Sequence, residues 1–367
     1  MIIPIIAYII TGLCLVGYIY FTHQLKKGWK QINFQSQSNT NKVASTACSL
    51  VIACHNEEAN LPHFLSSLAI QTQSINEIVF IDDHSTDNTL ALLQAWATQH
   101  ENTQVLSAHK HGKKAALSQA IQFAHNELII CTDADCQLQP QWAETIVNTY
   151  QEQPFDILIL PVTMSEGINY VAQITRLEFL SLVSSGMSLA ALGHPIMCNG
   201  ANLAFRRSAW LQSKDQLQNH LPSGDDVFLL HAIKARHGAI RVISHPHVIV
   251  TTHPTNTVST FMRQRTRWGS KTLSYTDKDS LIVAGSIFTI CMLQIILYIG
   301  ICFHPSCAIC AMLLFLGKWI SDYTFLHSTQ NTFTYPNLLL NTFILSIFYP
   351  FYIVIAACSG LINNSKW

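Results

Sequence analysis

Apolar residues are arranged along this chain in two ways, as long uncharged runs near its ends and as short runs with intervening helical spacing in its middle. Ile2 to Phe21 is uncharged and matches the roughly 20 residues that a helix needs to cross a bilayer core; Lys26, Lys27 and Lys30 follow at once. A secretory signal carries its basic residues before the apolar run and a small-residue cleavage site after it. The order here is reversed, so the positive-inside rule puts the N-terminus outside and the chain from Lys26 in the cytosol. Leu281 to Phe303 and Leu338 to Ile362 meet the same length criterion. Between them, Pro305 to Ile320 is apolar but shorter and contains Lys318. It reads either as a span or as a re-entrant or interfacial segment. Four spans leave the C-terminal tail outside, and a re-entrant third segment brings it back, the option that Lys366 favours.

In the middle, Ser49-Leu-Val-Ile-Ala53, Glu77-Ile-Val-Phe-Ile81, Gln104-Val-Leu-Ser107 and Glu127-Leu-Ile-Ile-Cys131 predict four strands. Helical spacing follows the first at Leu61, Phe64, Leu65 and Leu68, a helix starts from Asn88 after the second, and another runs from Lys113 to Ala124 after the turn at Gly112. Strands alternating with helices predict an α/β domain with a mostly parallel sheet and right-handed crossovers. Ligands of such sheets bind outside the carboxyl ends of the strands. Glu57 and Glu58, Asp82 and Asp83, and Asp133 and Asp135 all fall at such ends, with Lys113 in the loop after the third strand.

Composition sharpens this picture. Of 367 residues, 49% are hydrophobic and only 11% charged, against roughly 25% charged in an ordinary soluble protein. The 21 Lys and Arg balance 21 Asp and Glu. A disordered chain lacks such core-forming sequence and a simple nucleic-acid binder needs a basic surplus, so both are excluded. The 11 Cys sit at no regular spacing in a chain far longer than a small secreted module, which argues for reduced thiols rather than a disulfide framework. The organisation read from these patterns is a transmembrane helix at 1–25, a linker at 26–46 that is rich in Ser, Asn and Gln from Gln31, a cytosolic domain at 47–280, and a membrane region at 281–367 with two or three transmembrane helices.

Asp133-Ala-Asp135 puts two carboxylates at a strand end, where both can face one hard cation such as Mg2+ or Mn2+ whose other positions take phosphate oxygens. Alone, the pattern reads first as a solvated turn capping the next helix. The ordered series is more specific. Val51-Ile-Ala-Cys-His-Asn-Glu-Glu58, Ile81-Asp-Asp-His-Ser-Thr-Asp87, Gly112-Lys-Lys-Ala-Ala-Leu117, Asp133-Ala-Asp135, Gly224-Asp-Asp226 and Gln264-Arg-Thr-Arg-Trp268 together resemble the membrane-bound family-2 glycosyltransferases. That group includes hyaluronan, chitin, cellulose and poly-N-acetylglucosamine synthases and ceramide glucosyltransferases.

The resemblance implies a GT-A fold and transfer from a nucleotide sugar, expected to be a UDP-sugar, with inversion at the anomeric carbon. It implies donor-binding roles for Glu57, Asp83, Lys113 and Asp133, a divalent metal held by Asp133 and Asp135, and Asp226 as the base that takes the acceptor hydroxyl's proton. The Gly-Asp-Asp form leaves Asp225 as the alternative to Asp226. Gln264, Arg265, Arg267 and Trp268 are implied to cap the site and meet the acceptor or diphosphate. By residue type alone, that cluster reads first as a basic patch at a lipid surface, and the upstream series reverses that reading. Asn199-Gly-Ala-Asn-Leu-Ala-Phe-Arg206 resembles an acceptor-side segment, and is equally a turn into a strand. Ile174 to Leu192 reads as an interfacial or a buried helix.

His245, His247 and His253 lack the spacing and Cys partners of a zinc site, and Cys302, Cys307 and Cys310 read as small packing residues. The expected partners are a nucleotide-sugar donor, a lipid or glycan acceptor and membrane lipids, with no nucleic acid. A processive polysaccharide synthase is the alternative to single transfer. Its polymer needs a channel, which three or four hydrophobic segments supply only with help from a homo-oligomer or a separate partner. A non-catalytic receptor and a nucleotidyltransferase are the remaining rivals, and the first would have lost a charged site residue that this chain keeps.

Overall fold

The computed structural model describes residues 2–35, 46–71, 74–218 and 224–362. Most of the expected linker, and Lys366 with the side of the tail that it bears on, lie outside the described residues. The chain divides into two compact units: Gln31–Ser165 with Ala190–His253, and Met1–Lys30 with Glu166–Leu189 and Pro254–Trp367.

The first unit is an α/β sandwich around a seven-stranded sheet. Its strands are β1 (Cys48–Cys54), β2 (Glu77–Asp82), β3 (Thr103–Ser107), β4 (Leu128–Thr132), β5 (Ile157–Ile159), β7 (Asn202–Arg206) and β8 (Ile240–Val242), in the order β3-β2-β1-β4-β7-β5-β8. The four expected strands form within a residue or two of their predicted bounds, and their pairings are parallel. Nearly every residue of β1 and every residue of β4 is buried, as continuous apolar runs require in a sheet covered on both faces. Edge strand β3 tolerates Gln104 and Ser107 because it is more open. The crossovers are α2 (Leu61–Ala69), α3 (Thr89–Ala97) and α4 (Lys113–Phe123). Leu61, Phe64 and Leu68 form the buried stripe of α2, and Pro62 in its first turn costs no hydrogen bond. Helices α5 (Trp142–Glu152), α7 (Arg207–Ser213) and α8 (Asp225–Ala235) complete the unit, with a short parallel pair of β6 (Val162–Met164) and β9 (Val250–Thr252). The Asn199–Ala201 segment is the turn into β7, a strand that runs antiparallel to β4.

The second unit is helical: α1 (Ile2–Gln35), α6 (Tyr170–Ala191), α9 (Val258–Gly269), α10 (Lys278–Gly300), α11 (Pro305–His327) and α12 (Leu338–Ile362). Four stretches, Ile5–Ile32, Lys278–Gly300, Pro305–His327 and Leu338–Gly360, are long and apolar enough to cross a membrane. Two expected boundaries change. The limit at residue 25 falls inside α1, which continues through the lysines to Gln35. Residues 166–189 and 254–280 cluster with the apolar helices and not with the sheet, because α6 and α9 bury their faces among them.

The third apolar segment is also longer than expected, reaching His327. Its polar residues are paired: Lys318 Nζ lies 2.5 Å from Asp322 Oδ2, and Tyr18 of α1 donates to Asp322 Oδ1 at 2.5 Å. The ammonium also sits 4.5 Å from the ring centre of Tyr349. Ionisable groups among apolar helices persist when paired in this way, so Lys318 is no obstacle to a spanning helix.

Candidate active site

Strand order decides where the functional loops meet. The chain passes from β1 to β2 and β3 on one side and then returns to place β4 on the other, so the topological switch lies between β1 and β4. Antiparallel β7 sets Asn202 opposite Thr132, which carries the 199–201 turn to the same sheet end as Asp133.

The first two loops are tied together by their own side chains. Asn56 and His84 adopt positive φ values of 56° and 58°, a conformation uncommon outside glycine. The Asn56 amide donates to Ser85 Oγ, and Asn56 Oδ1 accepts from the Thr86 amide at 2.8 Å. Asp83 is buried, and both its oxygens accept from the Gly112 amide, at 2.9 and 3.0 Å. Gly112 has φ 108°, which a side chain would strain, so a glycine is what brings that amide to the carboxylate and opens α4 at Lys113.

Lys113 Nζ then lies 2.6 Å from Asp133 Oδ1. Burial works against the Lys113 charge, but Asp133, with Asp225 and Asp135 behind it, outweighs burial and holds the ammonium above its ordinary range. Glu57 is raised as well: burial and the facing Asp135 and Asp133 carboxylates push it up, against a hydrogen bond from Asn60 and the charge of Lys113. Asp135 Oδ2 accepts from Thr252 Oγ1 of β9 at 3.0 Å. Glu57 of the first acidic loop and Asp133 and Asp135 of the third therefore feel one another's charge.

The Gly-Asp-Asp element opens α8 after Gly224, at φ 97°. Asp226 Oδ2 accepts from the Gly200 amide at 3.0 Å and Oδ1 from the Val227 amide at 2.8 Å. The small residue at 200 thus lies against Asp226, where a Cβ would meet that side chain at ordinary contact distance, 3.7 Å. Burial and the adjacent Asp226 raise Asp225, while Lys113 and Lys114 pull it down. Cys54 and Cys131, buried at the same strand ends, are pushed far above the usual thiol range by burial.

Gln264, Arg265, Arg267 and Trp268 lie on α9, in the helical unit. Arg265, expected at the acceptor or diphosphate, is engaged by protein groups. It is 5% exposed, its guanidinium pairs with Glu178 of α6, itself 2% exposed, and it packs 4.3 Å from the Trp268 ring centre. Tyr352 of α12 donates to the other Glu178 oxygen at 3.2 Å. A guanidinium neutralised and enclosed in this way has a structural task, leaving Gln264, Arg267 and Trp268 as the half-buried members of the cluster. The sequence signal for Glu178 was a lone acid within the apolar run of Ile174 to Leu192, which in a buried helix demands a cationic partner.

Asp133 and Asp135, both partly exposed, offer carboxylate oxygens only, a donor set that fits Mg2+ or Mn2+. A second grouping was not foreseen. Asp83, His84 and His111 each bring one ligand atom within 4.8 Å of the others.

Residues 49–211 match the family described as Glycosyl transferase family 2. Residues 49–211 form a family-2 glycosyltransferase domain. Among curated relatives, the chain is 31% identical over 109 residues to undecaprenyl-phosphate 4-deoxy-4-formamido-L-arabinose transferase of Shewanella sediminis, covering 28% of this chain and 33% of that protein. It is 24% identical over 199 residues to poly-beta-1,6-N-acetyl-D-glucosamine synthase of Staphylococcus aureus, covering 52% of this chain and 46% of that one. The chain therefore spans less than half the length of either relative. Among solved structures, mannosyltransferase PcManGT from Pyrobaculum calidifontis, in complex with GDP-Man and Mn2+, aligns with a TM-score of 0.50 at 16% identity, covering 96% of this chain and 100% of that one. At that identity the likeness speaks for the GT-A fold of this domain.

Proposed function

We propose that this family-2 enzyme moves a sugar, with inversion, from a nucleotide sugar, a UDP-sugar, to a membrane-associated acceptor such as a lipid, with the sheet-bearing unit in the cytosol. One observation carries the reading: Lys113 and the carboxylates of Asp133, Asp135, Asp225 and Glu57 interact at one end of the sheet, with Asp226 adjacent to Asp225 and fixed on the turn that β7 brings there. In this reading Asp226 takes the acceptor hydroxyl's proton as the oxygen bonds to the anomeric carbon and the bond to the nucleoside diphosphate breaks. Asp83 and Glu57 hold the nucleotide part of the donor, and Lys113 meets the negative charge that develops on the diphosphate. A divalent ion on Asp133 and Asp135 would add further electrostatic stabilisation of that leaving group. Gln264, Arg267 and Trp268 serve the acceptor, with Trp268 offering a face on which a sugar can stack.

The membrane-borne acceptor is supported by four helices apolar enough to span a bilayer and by a relative named as an undecaprenyl-phosphate sugar transferase. The relative named as a poly-N-acetylglucosamine synthase favours the alternative, repeated transfer to a growing glycan. Membranes containing the full chain, incubated with labelled UDP- and GDP-sugars and separated into lipid extract and polymer, decide between them. Label in a lipid-soluble monosaccharide product is expected, and label in polymer would replace this reading with processive synthesis.

Asp135→Asn should weaken Mg2+- or Mn2+-dependent donor binding by at least about tenfold, as loss of a carboxylate ligand predicts. Donor binding measured in a metal chelator should then be the same for this variant and the unmodified protein. If the two also bound donor equally with metal present, Asp135 would not be a ligand.

A further inference from the structure

His84 and His111 have no part in the transfer reaction described above, yet with Asp83 they make up a ligand set of their own. We propose that these three side chains form a second cation site, distinct from Asp133 and Asp135, which takes a borderline transition metal of the Zn2+ class and, when filled, competes with the donor for Asp83. The competition rests on the reading of Asp83 as a nucleotide-holding residue, whereas the metal site does not.

The geometry argues for it in three steps. One ligand atom from each residue lies within 4.8 Å of the others. Ligands about 2.0 Å from a tetrahedral Zn2+ stand roughly 3.3 Å apart, so closing the site needs shifts of about an ångström, which two exposed imidazoles can make. His84 Nδ1 is already 3.2 Å from Asp83 Oδ1, and the His84 and His111 rings stack with centroids 3.7 Å apart.

Orientation is built in as well. The Gly112 amide holds both Asp83 oxygens, the kind of outer hydrogen bond that fixes a metal-binding carboxylate. The same glycine follows His111 directly in sequence and so delivers its ring beside the carboxylate. The positive φ of His84 similarly keeps its ring at the end of β2 and does not let it run on along the strand.

The donor types then separate the two sites. Two imidazoles and a carboxylate suit Zn2+, Co2+, Ni2+ or Cu2+, while the all-oxygen Asp133 and Asp135 pair suits Mg2+ and Mn2+. Exposure of both imidazoles leaves water to complete the coordination and gives the ion an open path. Asp83 cannot at once bind this cation fully and serve a nucleotide, so the occupied site is inhibitory.

The test is calorimetric titration of the full chain in detergent, without a polyhistidine tag, using ZnCl2 in the presence of excess Mg2+. One Zn2+ should bind with an affinity that His111→Ala lowers by at least about tenfold. His84→Asn should do the same, asparagine being chosen because it tolerates positive φ. His247→Gln should leave the affinity unchanged. Equal Zn2+ affinity in the unmodified protein and His111→Ala, or a loss confined to His247→Gln, would overturn the site. In the transfer assay Zn2+ should raise the apparent KM for donor in the unmodified protein and not in His111→Ala. Tight Zn2+ binding at these residues with unchanged donor KM would leave the cation site standing and overturn its competition with the donor through Asp83.

Discussion

Asp226→Asn should lower kcat by about 10²–10⁴, the usual contribution of a general base, while donor affinity stays near that of the unmodified protein. The expectation follows from how the carboxylate is held. The Gly200 and Val227 amides each engage one of its oxygens, and since each oxygen has two lone pairs, both keep one for the acceptor hydroxyl. Backbone amides on a sheet-anchored turn and a helix start hold the group in place. Asparagine keeps the shape and loses the proton acceptor. Asp225 is the internal control: burial and Asp226 raise it, Lys113 and Lys114 oppose that, and Asp225→Asn should act mainly through the charge around Lys113, raising or lowering donor affinity more than kcat. Steady-state kinetics with a donor-binding measurement separates the two. An Asp226→Asn enzyme with ordinary kcat, beside an Asp225→Asn enzyme without turnover, would move the base by one residue.

Glu178→Leu should destabilise the helical unit by about 3–5 kcal/mol, because it leaves the Arg265 guanidinium buried without its counter-charge. The enclosure is close to complete, with the two side chains 2% and 5% exposed, and Tyr352 loses its acceptor at the same time. Replacing both partners, Glu178→Leu with Arg265→Met, should recover most of the loss, since a well-packed apolar pair often matches a buried ion pair. Thermal unfolding of the full chain in detergent reads both effects. A Glu178→Leu protein as stable as the unmodified one would show that the pair does not hold α6, α9 and α12 together. Because Arg265 shares α9 with Gln264, Arg267 and Trp268, the double variant also asks whether a stable bundle is enough for transfer. Full stability with reduced kcat would give the pair a positioning task beyond packing.

Local pattern was enough to specify most of the sheet-bearing unit. Continuous apolar runs such as Leu128 to Cys131 can be strands buried on both faces, and the intervening 3.6-residue spacing makes right-handed crossovers the accessible topology. That alone sends Glu57, Asp83, Lys113, Asp133 and Asp135 to one sheet end. The uncharged terminal runs likewise announced their helices, since length and hydropathy are properties of a segment by itself.

Long-range pairing decided the rest. The sequence names Asp226 and Arg265 as charged residues of similar standing, but antiparallel β7 and the Gly200 amide bring the first to the sheet end, while Glu178, 87 residues away in the chain, draws the second into the helical unit. The His84 and His111 stack also depends on the β2–β3 pairing and on the Gly112 turn, neither of which is written in the spacing of the two histidines. Periodicity reports which face of an element is apolar, because that depends on neighbours a few residues away; the partner of a buried charge depends on which distant segment packs against it, and that is a property of the folded chain.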